Sequence, residues 1–203
     1  DLPGHGESRN VAVNGSMSAY AKAVREAIEK LELNNVTLVG HSMGGQISII
    51  LALQLPTIIS KLVLVCAAGI ETFTPEEATK LKAATRAVYS NPLSEDVLHR
   101  TFVHSSSDLK SLLMHEHVVH QQENYQQLSS LIISSVEGML NEPVFQFLHQ
   151  ISQPTLCLYG MLDTAIPNRW LHPHLNIQQV SQNAKQQIPD CKTVLFPLAG
   201  HYL

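Results

Sequence analysis

The segment Gly40-His41-Ser42-Met43-Gly44-Gly45 places a serine in the frame Gly-x-Ser-x-Gly. An apolar, β-branched run at 36–39 precedes it, and an apolar helical pattern at 47–55 follows it. A strand, a sharp turn and a helix in this order form the context in which a serine nucleophile is lifted above a sheet. Gly40 and Gly44 suit such a turn, because strand and helix then approach closely. The alternative is a serine that only caps the following helix.

A serine nucleophile needs a base, and the base needs an acid that holds its tautomer. The sequence predicts apolar strands at 155–159 and 193–196, and a polar candidate follows each of them: Asp163 and His201. Ligands of an open parallel sheet bind at the carboxyl ends of its strands, so we expect both side chains near Ser42. Asp108 and Asp190 are competing acids, but neither follows a strand so directly.

Together these motifs resemble those of the α/β-hydrolase family, in its serine esterase and lipase-like branch. The resemblance spans residues 1–201 and includes the opening run Asp1-Leu2-Pro3-Gly4-His5-Gly6-Glu7-Ser8. It implies an α/β-hydrolase fold, a mostly parallel sheet of which about four strands are present, with an inserted helical lid. It also implies site residues but no cofactor and no metal. The implied triad is Ser42, Asp163 and His201, with the Met43 N–H in the oxyanion hole and His41 lining the substrate pocket.

The family pattern also indicates that this chain is a fragment. In similar hydrolases four strands and a helix precede the opening loop, and a helix follows the histidine. The second oxyanion donor comes there from the loop after the third strand, which this sequence lacks. The strand at 36–39 is then expected to be an exposed apolar edge, which invites aggregation. We therefore expect the 203-residue chain by itself to be poorly soluble or inactive.

Helical periodicity divides the chain into a core and an insertion. Apolar residues recur every three or four positions at 17–33, and a continuous apolar run at 62–65 predicts a parallel strand. We expect the hydrolase core at 1–66 and 151–203. The stretch 67–150 is polar and helical, with a capped start at Thr74, and we interpret it as the lid. Further helices are predicted near Ser94, at 107–121 and at 124–140.

Composition excludes several other functions. The net charge of −4 without a basic run argues against nucleic-acid binding, and no stretch approaches the ~20 apolar residues of a membrane span. His115-Glu116-His117 fails the H-E-x-x-H test for zinc, because the required second histidine is Val119. The odd count of three cysteines favours free thiols, buried at 66 and 157, and a cytoplasmic location.

The expected reaction is hydrolysis of carboxylic esters through an acyl-enzyme, with a small-molecule ester as the partner. A carbon–carbon bond hydrolase of ring-cleavage products has a similar motif layout and stays open, as do thioesterase and haloperoxidase-like activities. A non-catalytic ligand-binding module on the same fold is the alternative from another class. Serine at position 42 argues against dehalogenases and epoxide hydrolases, which attack through a carboxylate. His172 and His174 are expected to be surface loop residues.

Overall fold

The computed structural model describes residues 1–90 and 125–203, in which strands and helices alternate. This alternation is what the sequence predicts for an α/β fold. The strands are β1 (Val36–His41), β2 (Ile59–Val65), β3 (Thr155–Gly160) and β4 (Cys191–Phe196). The helices are α1 (Met17–Lys30), α2 (Met43–Gln54), α3 (Pro75–Tyr89), α4 (Tyr125–Asn141) and α5 (Ile177–Gln187), with 3-10 turns at Gly6–Ser8 and Phe145–Gln150.

The described strands form one parallel sheet in the order β1-β2-β3-β4. All of its carboxyl ends therefore lie at one edge, where an open sheet binds its ligands. Helix α2 packs against β1 and β2, and α5 packs against β3 and β4. The apolar faces of these elements form the larger hydrophobic core. Its members include Ile49, Leu62, Leu64, Tyr159, Val180 and Ala184.

Strand β1 lies at the edge of the described sheet, as the sequence predicts. Its Val39 side chain is 62% exposed, which is unusual for an apolar residue in a parallel strand. Poor solubility of the isolated chain stays a prediction that follows from this exposure. No helix in the described residues has the length and apolar character needed to cross a membrane.

Helix α1 ends three residues earlier than its apolar periodicity predicts. Glu32 has a φ of 51°, which takes the chain out of the helix after Lys30. The Leu33 N–H then donates to the Ile28 carbonyl at 3.0 Å and the Glu32 N–H to the Glu29 carbonyl at 3.1 Å. These bonds form a C-terminal capping motif that satisfies the last carbonyl groups of the helix. Side-chain periodicity carries no information about such a backbone turn.

The carboxyl end of α4 contacts helices α1 and α2. The Glu142 carboxylate accepts hydrogen bonds from the N–H groups of Met17 and Ser18, at 3.0 and 2.9 Å, which begin α1. Gln46 of α2 donates its amide to the Met139 and Glu142 carbonyls. Helices α3 and α4 pack against each other. The helices predicted near 94 and at 107–121, and the histidine cluster at 115–120, lie outside the described residues.

Candidate active site

Ser42 forms the sharp turn between β1 and α2, with φ 52° and ψ −119°. A non-glycine residue held in such a conformation costs on the order of 1–3 kcal/mol and needs support from its surroundings. The Ser42 N–H donates to the Val65 carbonyl, and the Ser42 carbonyl accepts from the N–H groups of Gly45 and Ala68, each at 2.9 Å. The side chain makes no capping hydrogen bond. The capping alternative is therefore wrong.

Close approach of strand and helix at this turn requires glycine at position 40 but not at position 44. A Cβ atom at Gly40 would lie 2.3 Å from the Gly44 carbonyl oxygen, a separation that real side chains do not reach. Among the described residues, a Cβ atom at Gly44 would meet nothing within 4 Å, whereas one at Gly45 would lie 2.3 Å from Ala67 Cβ. The predicted close approach is confirmed at Gly40, but the second crowded glycine is Gly45 and not Gly44.

Asp163 and His201 lie on two loops that extend the pairing of β3 with β4 beyond the sheet. The Leu162 N–H donates to the Ala199 carbonyl at 2.9 Å, and the Asp163 N–H donates to the Gly160 carbonyl at 3.2 Å. These bonds bring the His201 Nδ1–H to 2.8 Å from Asp163 Oδ2. Both side chains are buried, with 8% and 0% exposure. The structure thus pairs two candidates that are 38 positions apart in the sequence.

The two loops are close enough that Gly160 has no room for a side chain. A Cβ atom there would lie 1.9 Å from the Gly200 carbonyl oxygen and 2.5 Å from that of Ala199. We expect Gly160→Ala to lower the free energy of unfolding by about 1–3 kcal/mol, because the backbone that leads to His201 must move. Urea unfolding of the full-length protein measures this change. Gly44→Ala is the matched control, with an unchanged or higher midpoint expected; equal midpoints in both variants would contradict the prediction.

The Asp163 carboxylate is stabilised by donors from its own loop. Its Oδ1 accepts the N–H groups of Ala165 and Ile166 at 2.7 and 3.0 Å. Burial alone would raise the pKa of Asp163, but the hydrogen bond and charge of His201, together with these N–H groups, hold that pKa below its ordinary value. Asp163 is therefore ionised at neutral pH and keeps the His201 proton on Nδ1.

His41 connects the serine turn to His201. Its Nε2 donates to the His201 carbonyl at 2.8 Å, and the centroids of the two rings are 4.7 Å apart. Burial lowers the pKa of His41, so its ring is neutral near pH 7. Ser42 therefore lies at the same sheet edge as His201, although no hydrogen bond among the described residues joins Ser42 Oγ to the His201 ring. Contact of His41 with a substrate stays a prediction.

A family model described as the alpha/beta hydrolase fold matches residues 1–203. The chain belongs to the α/β-hydrolase family. Among its relatives is a 2-hydroxy-6-oxononadienedioate/2-hydroxy-6-oxononatrienedioate hydrolase of a Pseudomonas species. That relative is 25% identical over 206 residues, which cover 100% of this chain and 69% of the relative. The chain spans between 20% and 69% of the length of the curated relatives it matches.

Solved structures share the α/β-hydrolase fold over nearly the whole chain. A probable hydrolytic enzyme of Pseudomonas aeruginosa PAO1 superposes with a TM-score of 0.82 at 22% identity, covering 100% of this chain and 69% of that one. An esterase of Exiguobacterium antarcticum gives a TM-score of 0.74 at 21% identity, covering 99% and 72%. At these identities the likeness shows the fold alone.

In this α/β hydrolase, Met43 is the first residue of α2. Its N–H is one of the four that a helix leaves without an intrahelical acceptor, at the end where the helix dipole is positive. This position directly follows Ser42 and suits a donor to a developing oxyanion. Its role in an oxyanion hole stays a prediction.

Cys66 is buried, as its sequence context predicts, and it also lies beside Asp163 and His201. Its Sγ and the ligating atoms of Asp163 and His201 lie within 4.8 Å of one another. Burial raises the pKa of the Cys66 thiol to about 12, so the thiol is neutral. The sequence signal that could have placed Cys66 near the site was its position directly after a predicted strand, as for Ser42.

His172 is not the surface loop residue that the sequence predicts, whereas His174 is exposed. The His172 side chain is 18% exposed, and its Nδ1 donates to the Glu71 carboxylate at 2.5 Å. Pro173, between the two histidines, indicated a loop correctly but could not indicate a partner 101 positions away.

Proposed function

We propose that this α/β hydrolase is a serine hydrolase that cleaves carboxylic esters, with Ser42, His201 and Asp163 as its triad. The observation that carries the proposal is the buried 2.8 Å contact between Asp163 and His201, at the sheet edge where the strained Ser42 turn lies. With its proton fixed on Nδ1, the His201 ring has Nε2 available to accept the serine proton.

The proposed reaction proceeds in two halves. Ser42 Oγ attacks the ester carbonyl carbon while His201 Nε2 takes the hydroxyl proton, which His201 then gives to the leaving alcohol as the carbon–oxygen bond breaks. Water, activated by His201, hydrolyses the acyl-serine and releases the acid. Asp163 stabilises the imidazolium in both halves, and the Met43 N–H binds the oxyanion, a contact worth about 3 kcal/mol.

Cleavage of a carbon–carbon bond in ring-cleavage products is the second candidate. The observation that favours it is the 25% identity over the whole chain to the 2-hydroxy-6-oxononadienedioate/2-hydroxy-6-oxononatrienedioate hydrolase of a Pseudomonas species. The two kinds of hydrolase have a similar motif layout, so the shape and polarity of the substrate pocket decide between them.

We propose that the insertion at 67–150 is a lid that supplies the substrate pocket, over a core formed by 1–66 and 151–203. Helices α3 and α4 pack together, and Glu142 attaches this unit to the start of α1. A lid excludes water and supplies apolar contacts to a ligand. We propose small or medium apolar esters as substrates, no cofactor and a cytoplasmic location.

Two assays on the full-length protein test the proposal. A fluorophosphonate probe should label Ser42, as located by peptide mass analysis, because the probe reacts with an activated serine. A series of p-nitrophenyl esters should be cleaved with a higher kcat/KM than a vinylogous diketone that represents a ring-cleavage product. A higher kcat/KM for the diketone would overturn the ester assignment in favour of the second candidate. If the probe does not label the protein and neither substrate is hydrolysed, the assignment as an enzyme is wrong and a binding module is favoured.

A further inference from the structure

We propose that Glu71 is a positioning residue for the loop 163–172, here called the acid loop, which carries Asp163. We further propose that this positioning of the acid loop depends on pH, because His172 bridges Glu71 to Glu77 of helix α3. The inference rests on the proposed function, because it concerns the placement of the proposed catalytic acid.

The Glu71 carboxylate is the anchor of the acid loop. Its side chain is only 6% exposed, and it comes from the segment that follows β2 rather than from the loop itself. Both carboxylate oxygens accept the Asn168 N–H, at 2.9 and 3.0 Å, and Oε1 also accepts His172 Nδ1–H at 2.5 Å. A buried carboxylate is tolerated only with such partners. The second half of the acid loop is thus held by one side chain from outside it.

The same loop fixes Asp163 from within. The Ile166 N–H donates to Asp163 Oδ1 at 3.0 Å, and Arg169 Nη2 donates to the Asp163 carbonyl at 3.4 Å. Asn168 lies between these two donors in the sequence. A shift of Asn168 away from Glu71 therefore moves the groups that orient the Asp163 carboxylate.

His172 contacts two carboxylates at once. Its Nδ1 lies 2.5 Å from Glu71 Oε1, and its Nε2 lies 3.4 Å from Glu77 Oε1. A neutral imidazole carries one N–H and can donate to only one of them, whereas an imidazolium donates to both. The Phe73 ring stacks on the imidazole, with centroids 5.1 Å apart. The bridge from the acid loop to the first turn of α3 therefore requires the charged ring.

The surroundings of His172 favour that charged form. Burial of the ring opposes protonation, but the hydrogen bonds and charges of Glu71 and then Glu77 outweigh it and raise the pKa of His172. Burial also raises the pKa of Glu71, and the hydrogen bonds from His172 and the Asn168 N–H offset part of that rise. The bridge is complete while the Glu71 carboxylate is ionised and the His172 ring is protonated. Among the described residues, the titratable or polar groups around the ring and its adjoining cavity include Glu71, Thr72, Glu77, Asn168, His174, Gln179 and Asn183.

The bridge gives a pH dependence with a definite sign. A group whose pKa is raised by folding stabilises the fold below its unfolded value, about 6.5 for histidine, and this contribution is lost as pH rises through the folded pKa. We therefore expect the free energy of unfolding to fall as pH rises through the pKa of His172. We expect kcat for ester hydrolysis to fall over the same range, because Asp163 is then held less firmly.

The experiment compares full-length wild type, Glu71→Gln, His172→Gln and His174→Gln, with kcat, KM and the urea midpoint recorded against pH. We expect Glu71→Gln to lower kcat by up to about 10²-fold, the cost of a small misplacement in an active site, with a smaller change in KM. We expect His172→Gln to lose the decline of kcat and of the urea midpoint that wild type shows as pH rises through the pKa of His172. His174→Gln is the matched control, since His174 is exposed on the adjoining segment, and it should follow wild type.

A decline of kcat and midpoint that persists in His172→Gln would overturn the proposal, as would a wild-type kcat in Glu71→Gln. If Glu71→Gln does not fold, Glu77→Gln replaces it. That change removes the second carboxylate and leaves Glu71 in place. It should move the decline of kcat and of the urea midpoint to lower pH. A decline at the wild-type pH would overturn the proposed bridge. Absence of hydrolysis in wild type at every pH would refute the proposed function, while the urea midpoints still test the bridge.

Discussion

Alanine at position 42 should remove hydrolysis while the protein stays folded. We expect Ser42→Ala to lower kcat on the best p-nitrophenyl ester by on the order of 10⁶, because no other group forms the acyl-enzyme. The free energy of unfolding should hardly change, since the Ser42 side chain makes no capping hydrogen bond. Steady-state kinetics and urea unfolding of the full-length protein check both expectations.

Ser152→Ala is the control for this substitution. Ser152 is exposed in the loop before β3, at the opposite edge of the sheet from Ser42. This variant should keep wild-type turnover and fluorophosphonate labelling. Turnover or labelling that survives in Ser42→Ala would show that another nucleophile performs the reaction.

The second large effect is expected for Asp163→Asn, with a loss of about 10⁴ in kcat. The asparagine Oδ1 can take the place of Asp163 Oδ1, which accepts the Ala165 and Ile166 N–H groups. Its Nδ2 then faces His201 Nδ1 and donates to it. The His201 proton is forced onto Nε2, where the ring can no longer accept the Ser42 proton. Kinetics on the same ester measures the loss, with KM nearly unchanged.

Unfolding in acid gives an independent measure of Asp163. Its pKa is lowered in the folded protein, so its contribution to stability is present above the unfolded value of about 3.9 and is lost as pH falls through the folded pKa. Asp163→Asn should lack this part of the acid dependence. Asp190→Asn is the control, because Asp190 is exposed and precedes β4, at the edge away from Ser42. A wild-type kcat in Asp163→Asn, or a 10⁴-fold loss in Asp190→Asn, would reject the assignment.

Much of the site was predictable because its signals are local in the chain. Ser42, Asp163 and His201 each follow a short apolar run, and the structure has a parallel strand at each of those runs. Parallel strands end at one edge, so three positions distant in sequence were expected at one place. The glycine frame at 40–44 predicted the strained turn for the same local reason.

Other features depended on contacts that the sequence does not encode locally. The second crowded glycine is Gly45 because Ala67 of another segment lies against it. Cys66 lies beside the Asp163–His201 pair because β2 lies between β1 and β3. Neither contact follows from apolar periodicity, since strand order is a property of the assembled sheet.

By itself, the sequence determined the α/β class, the turn at Ser42 and the two loops that carry Asp163 and His201. It did so because alternating apolar runs and turn residues fix secondary structure over short distances in the chain. Only the tertiary structure decided that the Asp163 carboxylate meets His201 Nδ1, and that His172 lies between Glu71 and Glu77. Those partners are selected by burial, which makes an unpaired charge so unfavourable that side chains far apart in sequence must pair.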